Sequence, residues 1–195
     1  MKRIAYILTA SLLFLVSLTS CEFSFADSKA TLPPETQAPT AASTAASTEF
    51  ETEEDKTVPD FYVLDKNEKA VHLSDFFGKP IILNFWATWC GPCKAELPDF
   101  EEMYKVYGNR IQFLMVDMTD GKQETMAGAK LFVDAQGYTF PVYFDVNASA
   151  ATAYGVASIP TTFFINEKGE LVTYAVGRLN AETLQKGIDM LLPEN

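Results

Sequence analysis

The stretch "ILNFWATWCGPCKAELP", residues 82–98, decides the fold and raises the question of function. An apolar, aromatic-rich run that is typical of a buried strand comes first, and a pattern with helical spacing follows from Pro92. Cys90 and Cys93 stand at the junction between the two. Such a pair can form a structural disulfide, bind a metal ion or exchange disulfides with other thiols.

Redox chemistry is the interpretation that best fits the local physics of the cysteine pair. A structural zinc site needs four ligands, whereas residues 57–195 offer two cysteines and the single histidine, His72, so we expect no metal. A bond between cysteines three residues apart closes a loop too short to restrict the unfolded chain much. Cys90 would instead precede a helix beginning near Pro92, where free N–H groups and the helix dipole stabilise a thiolate. Cys93 would lie one turn along, within reach of Cys90.

The composition indicates a globular protein with an acidic surface. The chain has 195 residues, 48% of them hydrophobic, which is enough for a core, and its net charge is −11. A surface with this charge should not bind nucleic acid or anionic lipid by electrostatic attraction, so we expect no nucleic-acid partner.

The N-terminus carries the features of an export signal. Lys2 and Arg3 precede an apolar run, Ile4 to Leu18, that is short for a membrane span and suits a signal peptide. The run ends in "LTSC", which resembles the lipobox of bacterial lipoproteins and implies that Cys21 is lipidated. An uncleaved anchor or an ordinary secretory signal is the alternative. All three place the protein outside the cytoplasm.

We therefore predict three segments: a lipoprotein signal peptide at residues 1–20, the lipidated Cys21 with a linker to residue 56, and one folded domain over residues 57–195. The linker consists mainly of Ala, Ser, Thr, Pro and Glu, which bury too little apolar surface to fold, so we expect it to be disordered.

The folded domain alternates strand and helix patterns, which predicts an α/β sheet with helices on both faces. A hairpin is expected around "KNEK" at residues 66–69, followed by one capped turn of helix. Further strands are expected at residues 81–87, 111–118, 140–145, 161–166 and 171–176. Helices are expected at residues 92–107, 123–135, 148–154 and 181–192.

Two separated motifs resemble those of the thioredoxin superfamily. "FWATWCGPCK", residues 85–94, resembles its active site, and "GVASIPTTFFI", residues 155–165, resembles its second signature, which makes Pro160 the implied cis-proline. The lipobox, the hairpin and an extra helix–strand insert through "GYTFPVYFD", residues 137–145, resemble the extracytoplasmic TlpA/ResA-like branch. The resemblance implies a thioredoxin-like fold, with a central mixed β-sheet flanked by helices.

The resemblance also implies roles for residues around the cysteines. Cys90 would be the nucleophile and Cys93 the resolving cysteine. Thioredoxin has a buried aspartate where this chain has Asn84, which cannot take a proton, whereas the TlpA/ResA-like branch has a glutamate at the position of Glu96. Glu96 follows Cys93 by one helical turn and would raise the pKa of Cys93 or accept its proton. The alternative is a solvated carboxylate on the helix surface.

A substrate-docking surface is expected around the motif. Trp89, Gly91 and Pro92 would face the partner. Ile159, Pro160 and Thr161 would form the other side, where backbone next to the cis-proline can pair with an incoming peptide as an added strand. Trp86 is expected in the core.

The implied activity is a membrane-tethered thiol-disulfide oxidoreductase that reduces exported proteins, such as apocytochrome c or methionine sulfoxide reductase. A membrane electron donor of the CcdA/DsbD type would restore the dithiol. We expect a monomer that uses no cofactor beyond its redox-active disulfide.

A disulfide oxidase or isomerase of the same fold is the alternative. A thiol peroxidase is less consistent with the sequence, because Thr88 precedes Cys90 by two residues and the peroxiredoxin pattern needs three. A non-catalytic binding module would not need the cysteine pair.

Overall fold

A computed structural model of the protein describes residues 57–192, and the predicted signal peptide, Cys21 and the linker lie outside that range. The described chain forms one mixed sheet of seven strands. The strands are β1 (Tyr62–Leu64), β2 (Ala70–His72), β3 (Ile81–Trp86), β4 (Gln112–Asp117), β5 (Val142–Phe144), β6 (Thr161–Ile165) and β7 (Leu171–Val176). The helices are α1 (Gly91–Tyr107), α2 (Met126–Gln136), α3 (Ser149–Ala153) and α4 (Ala181–Leu191).

The strand order across the sheet is β2-β1-β5-β4-β3-β6-β7. The central strand β3 is parallel to β4 and antiparallel to β6, and β4 is parallel to β5. The hairpin β1–β2 adds to β5 through an antiparallel contact, and β7 pairs with β6 at the other edge. The predicted mixed sheet and N-terminal hairpin are confirmed.

Two apolar layers cover the sheet, one on each face. Because side chains alternate along a strand, Ile82 and Trp86 of β3 pack into one layer, whereas Leu83 and Phe85 pack into the other. The first layer also holds buried side chains of α1, α2 and α4, and the second holds those of β1 and α3. Every residue of β3 is buried, as expected for a strand covered on both faces.

The topology brings the two sequence motifs to one edge of the sheet. The parallel strands β3 and β4 both end there, and Cys90 follows β3 by four residues. Strand β6 begins at the same edge, because it is antiparallel to β3 and Thr161 pairs with Phe85. Pro160, the residue before β6, is therefore placed beside the cysteine motif.

Most element boundaries differ from the predicted ones by one or two residues, and the largest difference is at the start of α2. Helix α2 begins at Met126 rather than at residue 123, because Thr125 is extended and caps the helix by accepting a hydrogen bond from the N–H of Gly128. The helical turn after β2 is a short 3-10 helix, Leu73–Phe76. Within residues 57–192, no helix is both long enough and apolar enough to cross a membrane.

Candidate active site

The two cysteines form a disulfide at the start of α1. Cys90 is the N-cap residue and is bonded to Cys93, with their Cα atoms 5.3 Å apart. The N–H of Cys93 donates to Cys90 Sγ at 3.2 Å. Gly91 and Pro92 occupy the first turn, where the missing N–H of proline leaves no helical bond unmade. An N–H aimed at the sulfur and the positive end of the helix dipole both favour a thiolate at Cys90 after reduction.

The cis-proline segment lies across from Cys90, as the resemblance predicted. The Ile159–Pro160 peptide bond is cis, and the carbonyl oxygen of Ile159 lies 3.8 Å from Cys90 Sγ. Ile159 is half-buried, whereas Pro160 and Thr161 are buried. Thr161 pairs with strands on both sides, and the carbonyl of Pro160 accepts a bond from the N–H of Gly177. Of these three residues, Ile159 is therefore the most exposed.

The surface beside Cys90 is exposed, although the cysteine itself is not. Cys90 is 4% exposed and Cys93 is fully buried. Trp89 is 50% exposed, and Gly91 and Pro92 are also exposed. Trp86 is completely buried, as predicted.

Glu96 is a buried acid rather than a solvated helix carboxylate. It lies on the inner face of α1 and is 0% exposed. Asn84 Nδ2 donates to its Oε1 at 2.8 Å, and the N–H of Leu179 donates to its Oε2 at 2.8 Å. Burial raises the pKa of Glu96 to about 7, although both hydrogen bonds and the charge of Arg178 oppose the rise. Its carboxyl can thus gain and lose a proton near neutral pH.

Several partners of the site were not predicted from the sequence. Asn84 was noted only as a residue that cannot take a proton, yet it bonds both to Glu96 and, at 3.0 Å, to Thr162 Oγ1. The sequence could not indicate Leu179, which is 83 residues from Glu96, because only its backbone N–H contacts the carboxyl. Glu124, which accepts two hydrogen bonds from Thr88, was also missed.

The arrangement supports two-electron dithiol chemistry. Residues 57–192 contain no group of three or more His, Cys, Asp or Glu side chains able to hold a metal ion. The site instead combines a bonded cysteine pair, one member of which lies at a helix N-terminus, with a buried acid on the same helix. These are the parts that thiol-disulfide exchange requires.

Comparison with known proteins agrees with this chemistry. The sequence profile of the AhpC/TSA family matches residues 55–174. Thiol-disulfide oxidoreductase ResA of Geobacillus kaustophilus is 33% identical over 138 residues, covering 70% of this chain and 77% of the relative. ResA of Bacillus subtilis is 33% identical over 141 residues, covering 72% and 76% respectively.

Solved structures show the same relationship. StoA from Bacillus subtilis is 28% identical with a TM-score of 0.59, covering 68% of this chain and 98% of StoA. The exposed lipoprotein thioredoxin of Streptococcus pneumoniae is 34% identical with a TM-score of 0.59, covering 67% of this chain and 99% of the other. The predicted thioredoxin-like fold is confirmed. The chain belongs to the AhpC/TSA family of thioredoxin-like proteins, and it is a thiol-disulfide oxidoreductase of the ResA-like branch.

Proposed function

We propose that this protein reduces disulfide bonds in exported client proteins at the outer face of the bacterial cytoplasmic membrane. The signal-like N-terminus and the lipobox ending at Cys21 support this location. The lipid on Cys21 would hold the domain at the membrane, and the linker to residue 56 would let it reach clients there.

The observation that carries the proposal is the Cys90–Cys93 pair at the N-terminus of α1, on the same helix as buried Glu96. In the reduced protein, the thiolate of Cys90 attacks one sulfur of the client disulfide. A Cys90–client mixed disulfide forms, and the other client sulfur leaves as a thiolate that takes up a proton.

The second step releases the client. The thiol of Cys93 gives its proton to the carboxylate of Glu96, and the resulting thiolate attacks Cys90 Sγ. The second client sulfur leaves with the bonding electron pair and is protonated. The client has then gained two electrons and two protons, and the domain carries the Cys90–Cys93 disulfide. A carboxyl with a pKa of about 7 suits this role, because it both accepts and releases a proton near neutral pH.

Client docking is proposed to use Trp89, Gly91 and Pro92 on one side of Cys90 and Ile159 on the other. Trp89 supplies exposed aromatic surface. The backbone of Ile159 can pair with an extended client segment and hold its disulfide against Cys90. The buried residues Pro160 and Thr161 would shape this side of the site from below.

A reducing direction is favoured by the residues between the cysteines. Gly91-Pro92 matches thioredoxin, whose potential is about −270 mV, whereas the oxidant DsbA lies near −120 mV. A membrane donor of the CcdA/DsbD type would return the electrons, and the monomeric domain would need no cofactor besides its own disulfide. The alternative function, a disulfide oxidase or isomerase, would use the same residues with electrons flowing the other way.

The test uses two oxidised substrates that the resemblance suggests, a C-x-x-C-H peptide from an apocytochrome c and an exported methionine sulfoxide reductase. The reduced protein should generate two thiols per molecule in at least one of them, and Cys90→Ser should generate none. If, with both reactions run in one glutathione buffer, the oxidised protein instead forms disulfides in the reduced substrates, the oxidase alternative is correct. Peroxide consumption by the wild type at a comparable rate would favour a thiol peroxidase.

A further inference from the structure

Two further buried acids, Asp117 and Glu124, lie behind the segment that leads into Cys90. Asp117 ends strand β4, beside Trp86 of β3, and is completely buried. Glu124 lies in the loop between β4 and α2 and is 1% exposed. Buried carboxyls are costly unless they are hydrogen-bonded or neutralised, so this pair requires an explanation. The exchange mechanism described above does not use it.

Glu124 holds the segment that leads into Cys90. Its Oε2 accepts a hydrogen bond from the N–H of Thr88 at 2.9 Å and another from Thr88 Oγ1 at 2.7 Å. Thr88 stands two residues before Cys90, and the N–H of Cys90 closes the turn by donating to the carbonyl of Ala87. Because one oxygen of Glu124 accepts both bonds, this side chain restrains both the backbone and the side chain of Thr88.

The loop that carries Glu124 is itself restrained. Asp120 Oδ1 accepts bonds from the N–H groups of Lys122 and Glu124, and the carbonyl of Glu124 accepts bonds from the N–H groups of Asp120 and Gly121. These bonds fix the backbone of the loop, and so they hold Glu124 in position to accept the bonds from Thr88.

The remaining oxygens of the two acids imply a shared proton. Asp117 Oδ1 accepts a bond from Thr119 Oγ1. Within the described part of the chain, Asp117 Oδ2 and Glu124 Oε1 have no hydrogen-bond partner. The two carboxyls lie close enough that Glu124 raises the pKa of Asp117. Two ionised carboxylates in contact would repel, whereas one proton between them supplies the missing donor and removes one charge. Burial raises the pKa of Asp117 to about 8, and the acidic neighbours Glu124 and Asp120 add to the rise against the bond from Thr119.

We propose that Glu124 is a positioning residue for Cys90, and that a proton shared with Asp117 keeps Glu124 aligned to hold Thr88. When the proton is lost, the two charges repel and Thr88, Trp89 and Cys90 lose part of their restraint. The inference rests on disulfide exchange at Cys90 but not on the direction of electron flow in the proposed function.

Two isosteric variants imitate the state with the shared proton. In Asp117→Asn, the amide can keep the bond from Thr119 and donate permanently to Glu124. In Glu124→Gln, the amide oxygen can accept both bonds from Thr88 while the nitrogen donates to Asp117. Glu124→Ala removes the restraint on Thr88 altogether. Glu102→Gln, which changes an exposed acid on α1, is the matched control.

The experiment measures how fast each reduced full-length protein attacks dithiodipyridine, from about pH 6 to about pH 9, a range that brackets the raised pKa. This probe is small and neutral, so docking and direction do not influence the rate. We expect Asp117→Asn and Glu124→Gln to match the wild type at the acid end. At the alkaline end they should exceed it by about threefold or more. Glu124→Ala should be slower by about tenfold throughout, since misplaced reacting groups lose large rate factors, and the control should follow the wild type.

Two results would overturn the proposal. One is a rate ratio between Asp117→Asn and the wild type that stays constant with pH. The other is a Glu124→Ala protein that reacts at the wild-type rate. If Glu124→Ala does not fold, Thr88→Val replaces it, because this variant removes the side-chain bond while leaving the carboxyl pair intact. It should then be slower than the wild type at all pH values, and an unchanged rate would count against the proposal.

Discussion

Replacing Glu96 with glutamine should remove a pH dependence from the free energy of unfolding. The pKa of Glu96 is raised from 4.5 to about 7 in the folded protein, mainly by burial. Between these values the folded state keeps a proton that the unfolded state has lost. The contribution of Glu96 to the free energy of unfolding is therefore largest below about pH 4.5 and falls as the pH rises to about 7. At 1.36 kcal/mol per pH unit, Glu96 should account for a loss of about 3 kcal/mol across that window.

The glutamine side chain has nearly the same shape but one acceptor oxygen. Asn84 Nδ2 and the N–H of Leu179 each donate to one carboxyl oxygen. The protonated acid can still accept on both oxygens, whereas the amide nitrogen of glutamine cannot accept. An unmet buried donor costs about 1–3 kcal/mol, so Glu96→Gln should be the less stable protein near pH 5. The variant cannot ionise, so its free energy of unfolding lacks the fall that Glu96 causes in the wild type. Relative to the wild type, that free energy should therefore rise by about 3 kcal/mol between pH 5 and pH 8.

Urea denaturation of the oxidised fragment from Thr57 onward, followed at several pH values, measures these free energies. Asp117 also titrates in this range, but it is present in both proteins and cancels in the difference. Glu102→Gln changes an exposed acid and serves as the control. Its free energy of unfolding should change with pH in the same way as that of the wild type. If the curves of Glu96→Gln and the wild type are also parallel from pH 5 to pH 8, the assignment of a buried, titrating Glu96 is refuted.

Three further variants test the site and the core. Cys93→Ser should accumulate a mixed disulfide between Cys90 and an oxidised client, seen by non-reducing electrophoresis, and the absence of any trapped species would contradict the roles given to the two cysteines. Trp89→Ala should raise KM for a protein client while changing the free energy of unfolding by less than about 1 kcal/mol, because the side chain is 50% exposed; an unchanged KM would remove Trp89 from the docking surface. Gly187→Ala should destabilise the protein by about 1–3 kcal/mol in urea, because the added Cβ would lie 2.2 Å from the ring of Phe164; a neutral result would mean that α4 can shift away from β6.

The features that the sequence predicted are those that depend on local pattern. The apolar run before Cys90 identified β3, and Pro92 and Gly108 bracketed the helix that follows, because strand and helix signals are carried by neighbouring residues. The position of Pro160 relative to Cys90 came from the resemblance of two motifs, and the cis bond is found there. The helical spacing between Cys93 and Glu96 likewise placed both on one face of α1.

The features that escaped prediction depend on contacts between distant segments. Whether Glu96 is solvated or buried is decided by β3 and by the backbone of Leu179, and the helical pattern contains neither. Gln123 and Glu124 were predicted to begin a helix, yet they lie in the polar loop before α2, which folds back so that Glu124 is buried against Thr88. An acid in a polar loop carries no local mark that distinguishes a buried partner from a solvated surface residue.

The reduction potential of the Cys90–Cys93 pair tests the central claim most directly. The fragment from Thr57 would be equilibrated in thiol-disulfide buffers and followed by the fluorescence of Trp89 and Trp86. A value below about −240 mV is the result expected for a reductant of exported proteins that is supplied by a membrane donor. A value above about −180 mV would contradict that account and identify the protein as an oxidase or isomerase.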